Sequence, residues 1–446
     1  MHMDILEKAL RMLAKYPLCD HCLGRQFALL GHGIENDERG KAVKLALTLK
    51  AHALASSKSK ESISILRILA TNGFSLTAKK VLQKMKKPIS RRVFPKTCFL
   101  CESKFICIGD LAKTAFKKLE GYEYHSFLVG VKLPVGAEER EDEFKAEFEV
   151  DYGENLRNEF GRLIGKKFAE HSGKTVDHKK PEIVVLVNPL TEEGSLQINP
   201  LHIAGRYRKL VRGIPQSKWF CSNCRGRGCE KCNWTGKMYS ESVEEIIEKP
   251  FLEMTEGLGA SFHASGREDI DARMLGTGRP FVIEIVQPKR RFLDLKKLEE
   301  VANAYAEGKV EVSDLQFADK DDVRRLKKAE STQKMYRVIV EFRDKITAKS
   351  LTLLAEKLNG ITIKQKTPLR VLHRRADLLR EKYIYEAKVK KLSPRQAEMK
   401  IRCQGGLYVK ELVTGDAGRT TPNVSEILEN EAKPIKLDVL NVIMEN

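Results

Sequence analysis

The sequence predicts an α+β protein of several domains, with helices packed on a large mixed or antiparallel sheet. Three observations predict it. Apolar residues recur at helical spacing in some segments and alternate with polar residues in others. No strand–GxGxxG–helix unit and no P-loop occurs, which removes a doubly wound dinucleotide fold and triphosphate binding. The chain has 446 residues, 42% of them hydrophobic, enough for two to four domains with real cores.

The first region runs over residues 1–110. It has helical patterns at about 4–16 and 40–56 and two isolated CxxC pairs. Its stretch from Lys79 to Arg92 is dense in positive charge, as either an exposed helix face or an RNA contact. The second region covers 111–212, and its start can be drawn as early as residue 45. A helix (GDLAKTAFKKLEG) leads to a strand (HSFLVGVKL), an alternating strand (FKAEFEV), a long amphipathic helix (NLRNEFGRLIGKKFAEHSG) and a buried strand (PEIVVLV). The basic segment GRYRKLVRG follows, fit to track phosphates or to form a solvated turn. The third region, 213–446, opens on a cysteine cluster. There the strands PFVIEIV, MYRVIVEF, GITIK and EMKIRC alternate with the helices LDLKKLEEVANAYAEG and AKSLTLLAEKLN.

Lys and Arg total 80 against 61 Asp and Glu, a net charge of +19. A chain this basic points to a polyanion, most often nucleic acid; the bland alternative is a solvated basic surface. No apolar run approaches the roughly 18 residues that would span a bilayer. The N-terminal MHMDILEKALRMLAKYP reads as an amphipathic helix rather than a signal peptide, because charges interrupt each apolar stretch. A cytoplasmic protein with reduced cysteines is expected, without membrane association and acting as a monomer.

Ten cysteines are present, and their pairing suggests metal rather than disulfides. Cys221, Cys224, Cys229 and Cys232 form two CxxC pairs separated by four residues, with Gly226 and Gly228 letting the chain fold around an ion. Four thiolates suit tetrahedral zinc. Cys19 and Cys22 (CDHC) with Cys98 and Cys101 (CFLC) make a second four-cysteine set, or else two pairs of reduced thiols. His21 reads as a spacer, and Cys107 and Cys403 as buried small hydrophobes. Both sites are expected to be structural, since catalytic zinc keeps an open position. The HxE…PCxxC pattern of zinc deaminases is missing.

The sharpest chemical motif is SGREDIDARMLGTGRPFVIEI, from Ser265 to Ile285. A glycine-flanked loop of paired charges precedes an apolar strand. Asp269 can be presented at a sheet edge, with Arg267 and Arg273 near enough to keep it ionised. On spacing alone the loop is equally a salt-bridged turn, with Glu268 and Asp271 as rival carboxylates.

The string GRED resembles the G-R-x-D signature of pseudouridine synthases. GREDIDARMLGTGRPF is similar to the archaeal and eukaryotic tRNA synthases that modify T-arm uridines 54 and 55, and the likeness covers essentially the whole chain. It implies a C-terminal pseudouridine synthase catalytic fold behind a zinc-bearing, THUMP-like RNA-binding region, with the T-arm of tRNA as substrate. By the match Asp269 is the nucleophile and Arg267 contacts substrate. KMYRVIVEF resembles the family's K-x-Y-x-x-x-V strand, placing Tyr336 against the base. QGGLYVKEL resembles the G-T-Y-I-R/K strand, with Leu407 where Thr is usual, Tyr408 beside the substrate and Lys410 as basic partner of Asp269. KLDVLNV resembles the strand whose leucine, here Leu437, packs under the uracil.

Such an isomerisation needs no organic cofactor. The target uridine is flipped from its stack, and attack by Asp269 on the base or on ribose C1′ are both open. RNP-type aromatics are absent, so the RNA is expected to be structured. A zinc-dependent structured-RNA-binding protein without catalysis is the competing reading. A THUMP-bearing methyltransferase or thiolase lacks its glycine-rich or pyrophosphate loop here.

Overall fold

The computed structural model describes residues 4–55, 60–87, 89, 96–328 and 332–443. It divides into two compact units, Met1–Asn199 and Pro200–Asn446. Among the described residues no helix is long and apolar enough to cross a membrane.

The first unit begins with helices Ile5–Lys15, Asp20–Gly24, Asn36–Ala55, Lys60–Thr71 and Leu76–Lys84. Ala9, Met12 and Leu13 of the first are buried, at the three-to-four spacing of an amphipathic helix. The basic run from Lys79 lies in and just after the last of these; Pro88, Ser90, Arg91 and Arg92 fall outside the described residues. A four-stranded sheet follows in the order Thr175–Val176, Ser126–Val131, Ile183–Asn188, Glu193–Ile198. The first three strands are parallel and the last antiparallel. Helices Ile108–Lys117 and Leu156–Ser172 pack on it.

Residues 144–150, expected as a strand, instead end the helix Val135–Glu147. The alternation of FKAEFEV hid a helical repeat. Phe144 and Phe148, four apart, are both buried and pack against each other at 4.9 Å and against Tyr16 at 5.6 and 6.1 Å. The preceding residues are mostly Ala, Glu and Arg, good helix formers.

The second unit is a ten-stranded mixed sheet. Its order is Thr420–Thr421, Ile361–Gln365, Arg380–Ser393, Gln396–Gln404, Gln333–Phe342, Ala432–Ile443, Arg273–Val286, Leu201–Lys209, Val310–Ala318, with Gly259–Ala264 also paired to Arg273–Val286. Among the described residues every pairing in this sheet is antiparallel except that of Ala432–Ile443 with Arg273–Val286, where Asp438 faces Arg273. Helix Ala348–Leu358 packs on one half of the sheet and Leu295–Tyr305 on the other. Tyr336 touches both apolar cores.

The second unit begins at Pro200 and so contains the segment GRYRKLVRG, which is not a solvated turn. It lies largely in strand Leu201–Lys209, hydrogen-bonded to Arg273–Val286 on one side and Val310–Ala318 on the other. Tyr207 and Lys209 are fully buried, and Arg208 pairs with Glu311.

Candidate active site

The loop after strand Gly259–Ala264 turns at Gly266, whose φ is +78°. A Cβ there would sit 3.1 Å from Lys334 Nζ and 3.2 Å from Arg279 Nη1, so glycine fits both the conformation and the space. Beneath the loop lies a buried polar lattice. Glu268 accepts from Arg279 Nε at 3.0 Å and from the Tyr207 hydroxyl at 3.0 Å. Gln216 Nε2 donates to the Tyr207 oxygen at 2.6 Å and to the Gly266 carbonyl at 2.9 Å. Lys209 Nζ donates to the carbonyls of Ile214 at 2.9 Å, Asp269 at 3.1 Å and Ile270 at 3.2 Å. Burial pushes the Lys209 ammonium below its ordinary value. The carbonyls of Asp269 and Ile270 are thus held by Lys209, which solvent does not reach.

This lattice separates the three carboxylates. The Glu268 side chain is fully buried and committed to Arg279. Asp271 is 68% exposed and receives Lys410 Nζ at 2.7 Å. Asp269 faces a pocket, with its Oδ2 3.2 Å from Lys410 Nζ and 3.3 Å from an Arg370 nitrogen. Burial pushes the Asp269 carboxyl up, but Arg370 and Lys410 outweigh it and leave the group below the ordinary carboxylate range. Asp269 is therefore an anion at neutral pH.

The pocket of about 190 Å³ brings together Arg267, Asp269, Tyr336, Tyr408, Lys410 and Leu437, with Lys334 and Arg370. That volume is below the roughly 300 Å³ at which drug-sized ligand clefts begin, and suits a single base. Burial raises the Tyr336 phenol, so the ring stays neutral. Arg375 Nη1 donates to the Tyr408 hydroxyl at 2.9 Å. The Tyr408 backbone is fixed by Gln365, whose side chain exchanges hydrogen bonds of 2.9 and 3.0 Å with it. Lys334 has its ammonium lowered to about 8 by burial and the neighbouring Arg279.

Two expectations at this site are corrected. Arg273 does not hold Asp269; it turns to Asp438, its Nε donating at 2.9 Å, because the parallel pairing of strands sets these two residues side by side. QGGLYVKEL is not a strand. Gly406, at φ +91°, turns the chain and Tyr408 starts the helix Val409–Thr414, which carries Lys410 in its first turn. Arg370 was missed altogether. It lies 101 residues from Asp269 and no local pattern marks it; its position is secured by Glu411, at 2.6 Å.

Asp438, 3% exposed, gathers Arg212, Arg273 and Arg337 at 2.5 to 2.9 Å. Against the cost of burial, Arg273 and Arg337 lower its carboxyl to about 2. Such a group stabilises the fold above the ordinary Asp value of about 3.9 and loses that contribution as pH falls through its folded value. Asp438→Ala is expected to cost about 3 kcal/mol at neutral pH, since it strands three arginines. Urea denaturation checks this, and an unchanged midpoint rules it out.

Each four-cysteine set suits a metal ion. Within each, the four sulfurs lie within 4.8 Å of one another. In the first unit Cys19 Sγ is 3.6 Å from Cys101 Sγ, and His21 turns to Glu159 at 2.9 Å, leaving four thiols as the donor set. In the second unit backbone N–H groups of Gly228 and Gly236 donate to Cys224 and Cys232 sulfurs at 3.2 Å, as thiolates accept. Cys403 is buried as expected; Cys107 is only half-buried, at the exposed turn that starts helix Ile108–Lys117.

Residues 202–443 match the family model described as Pus10, C-terminal, and residues 111–188 match the Pus10 THUMP domain, archaeal. Three similar curated proteins are each named tRNA pseudouridine synthase Pus10. That of Methanocaldococcus jannaschii is 46% identical, over 97% of this chain and 93% of its own length. That of Methanothrix thermoacetophila is 41% identical, over 98% and 94%. That of Methanopyrus kandleri is 37% identical, over 99% of both. The class so defined is the pseudouridine synthases. Within it, this chain belongs to the Pus10 family.

Proposed function

We propose that this protein isomerises uridine to pseudouridine in the T-arm of tRNA, at positions 54 and 55, with Asp269 as nucleophile. One observation supports the assignment above the others. Of the three carboxylates in the loop, Asp269 alone combines access to the pocket with two cations that keep it charged. Lys410 and Arg370 hold the carboxylate, Tyr336 stacks on the flipped base, Leu437 packs beneath it, and Arg267 and Tyr408 border the entrance. The bond from ribose C1′ to N1 breaks, the uracil turns, and C5 bonds to C1′. N1 ends with a proton and C5 without one, so no outside oxidant or cofactor is required. Covalent capture by Asp269 divides this into easier steps.

Both cysteine sets hold structural zinc in this reading, because four thiolates without histidine or carboxylate leave no open position. The protein works as a cytoplasmic monomer, and its cationic surface grips structured RNA. The test is incubation with unmodified tRNA transcripts followed by carbodiimide primer extension. Stops at positions 54 and 55 are expected, and stops only elsewhere overturn the T-arm assignment. The Kd for the transcript should rise at least about tenfold between about 50 and 300 mM salt, by filter binding. A flat profile contradicts recognition through phosphates.

A further inference from the structure

The cysteine knuckle of the second unit has an exposed face that the pocket does not use. Trp234 is 73% exposed and Phe220 56%, although aromatic side chains this large usually bury most of their area. The backbone holds Trp234 outward. Asn233 and Trp234 lie in succession at φ +49° and +61°, a costly conformation for a bulky residue. The Trp234 N–H donates to the Cys229 carbonyl at 2.9 Å. Gly228 packs so closely that a Cβ there would meet the Trp234 carbonyl oxygen at 2.9 Å. The indole is displayed from a loop stapled by cysteines.

Cations lie on the same short segment. Lys218, Arg225, Arg227 and Lys231 are all exposed and form no ion pair among the described residues. Glu230 is the one carboxylate between positions 218 and 237, and Lys237 is tied to Glu245 at 2.6 Å. The Lys218 ammonium lies 5.4 Å over the Phe220 ring. The same segment reaches the catalytic pocket, since the Arg267 guanidinium lies 5.6 Å over the ring of Trp219.

We infer that Trp234, with the exposed Lys218, Arg225, Arg227 and Lys231 of the same segment, is a stacking platform for an unpaired base of the substrate RNA outside the catalytic pocket. The inference rests on the function proposed above. An aromatic face takes any base, and exposed cations on the same segment match the phosphates on either side of it.

The test uses the full chain with equal metal content in each variant and an unmodified tRNA transcript as probe. Trp234→Ala should raise KM for the transcript about tenfold, with kcat within about twofold, and Trp234→Phe should recover most of the loss. The chain has two tryptophans, so Trp219→Phe leaves Trp234 as the only indole, and saturating transcript should quench its fluorescence. An unchanged KM in Trp234→Ala, or an unquenched Trp234 at saturation, overturns the inference, as a face reserved for a protein would. If Trp234→Ala loses metal, the quenching experiment decides. Quenching without any pseudouridine from the wild-type chain would retain the platform and reject the proposed function. Wild-type product with an indifferent Trp234→Ala would do the reverse.

Discussion

Asp269→Asn should abolish pseudouridine formation while leaving RNA affinity almost unchanged. The substitution keeps the shape of the side chain and removes its charge. Arg370 retains Glu411 at 2.6 Å and Lys410 retains Asp271 at 2.7 Å, so neither cation is stranded. Lys209 still binds the carbonyl at position 269, since that bond uses the backbone. The fold and the entrance survive, and what is lost is the charge of the proposed nucleophile. Removing the nucleophile of a covalent enzyme costs on the order of 10⁶ in kcat, and a loss of at least about 10³ is expected here. Single-turnover primer extension measures it, alongside Kd by filter binding. Residual turnover near wild type would remove Asp269 from the chemistry.

The second large effect concerns the first unit. Cys22→Ser takes one thiolate from the set completed by Cys19, Cys98 and Cys101, at a fully buried position. The set ties the start of helix Asp20–Gly24 to a loop 79 residues further on, where the Cys19 N–H donates to Cys98 Sγ. Structural zinc supplies roughly 10–16 kcal/mol to small zinc domains, as much as a whole domain's net stability of about 5–15 kcal/mol. Metal content should fall from two ions per chain to one, and Met1–Asn199 should become sensitive to limited proteolysis while the second unit resists. Two ions retained, with unchanged proteolysis, would mean that this set is only a pair of reduced thiols.

Much of the site was legible because its chemistry is local. The CxxC pairs, the GRED loop and the strand around Tyr336 announce themselves within a few residues. What escaped depends on distant pairing. Arg370 reaches Asp269 only because the sheet brings their segments together. Lys209 looked like one cation in a basic run, yet it is buried beneath the loop it supports. Phe144 and Phe148 satisfy a four-residue period as readily as a two-residue one, and the helix brings both against Tyr16, more than a hundred positions away. Arg273 was expected beside Asp269, four residues away, whereas the parallel strand contact gave it Asp438, 165 residues distant.

That parallel contact has a consequence for synthesis. Strand Ala432–Ile443 supplies Leu437 to the pocket and Asp438 to three arginines from earlier in the chain. The middle of the sheet therefore stays open until these residues leave the ribosome, when contacts spanning more than 150 positions close at once. Long-range pairing of this kind is slow. A nascent chain or a truncated product that lacks the strand has its Asp269 loop but no finished pocket, so catalytic competence arrives with the last strand rather than building up gradually.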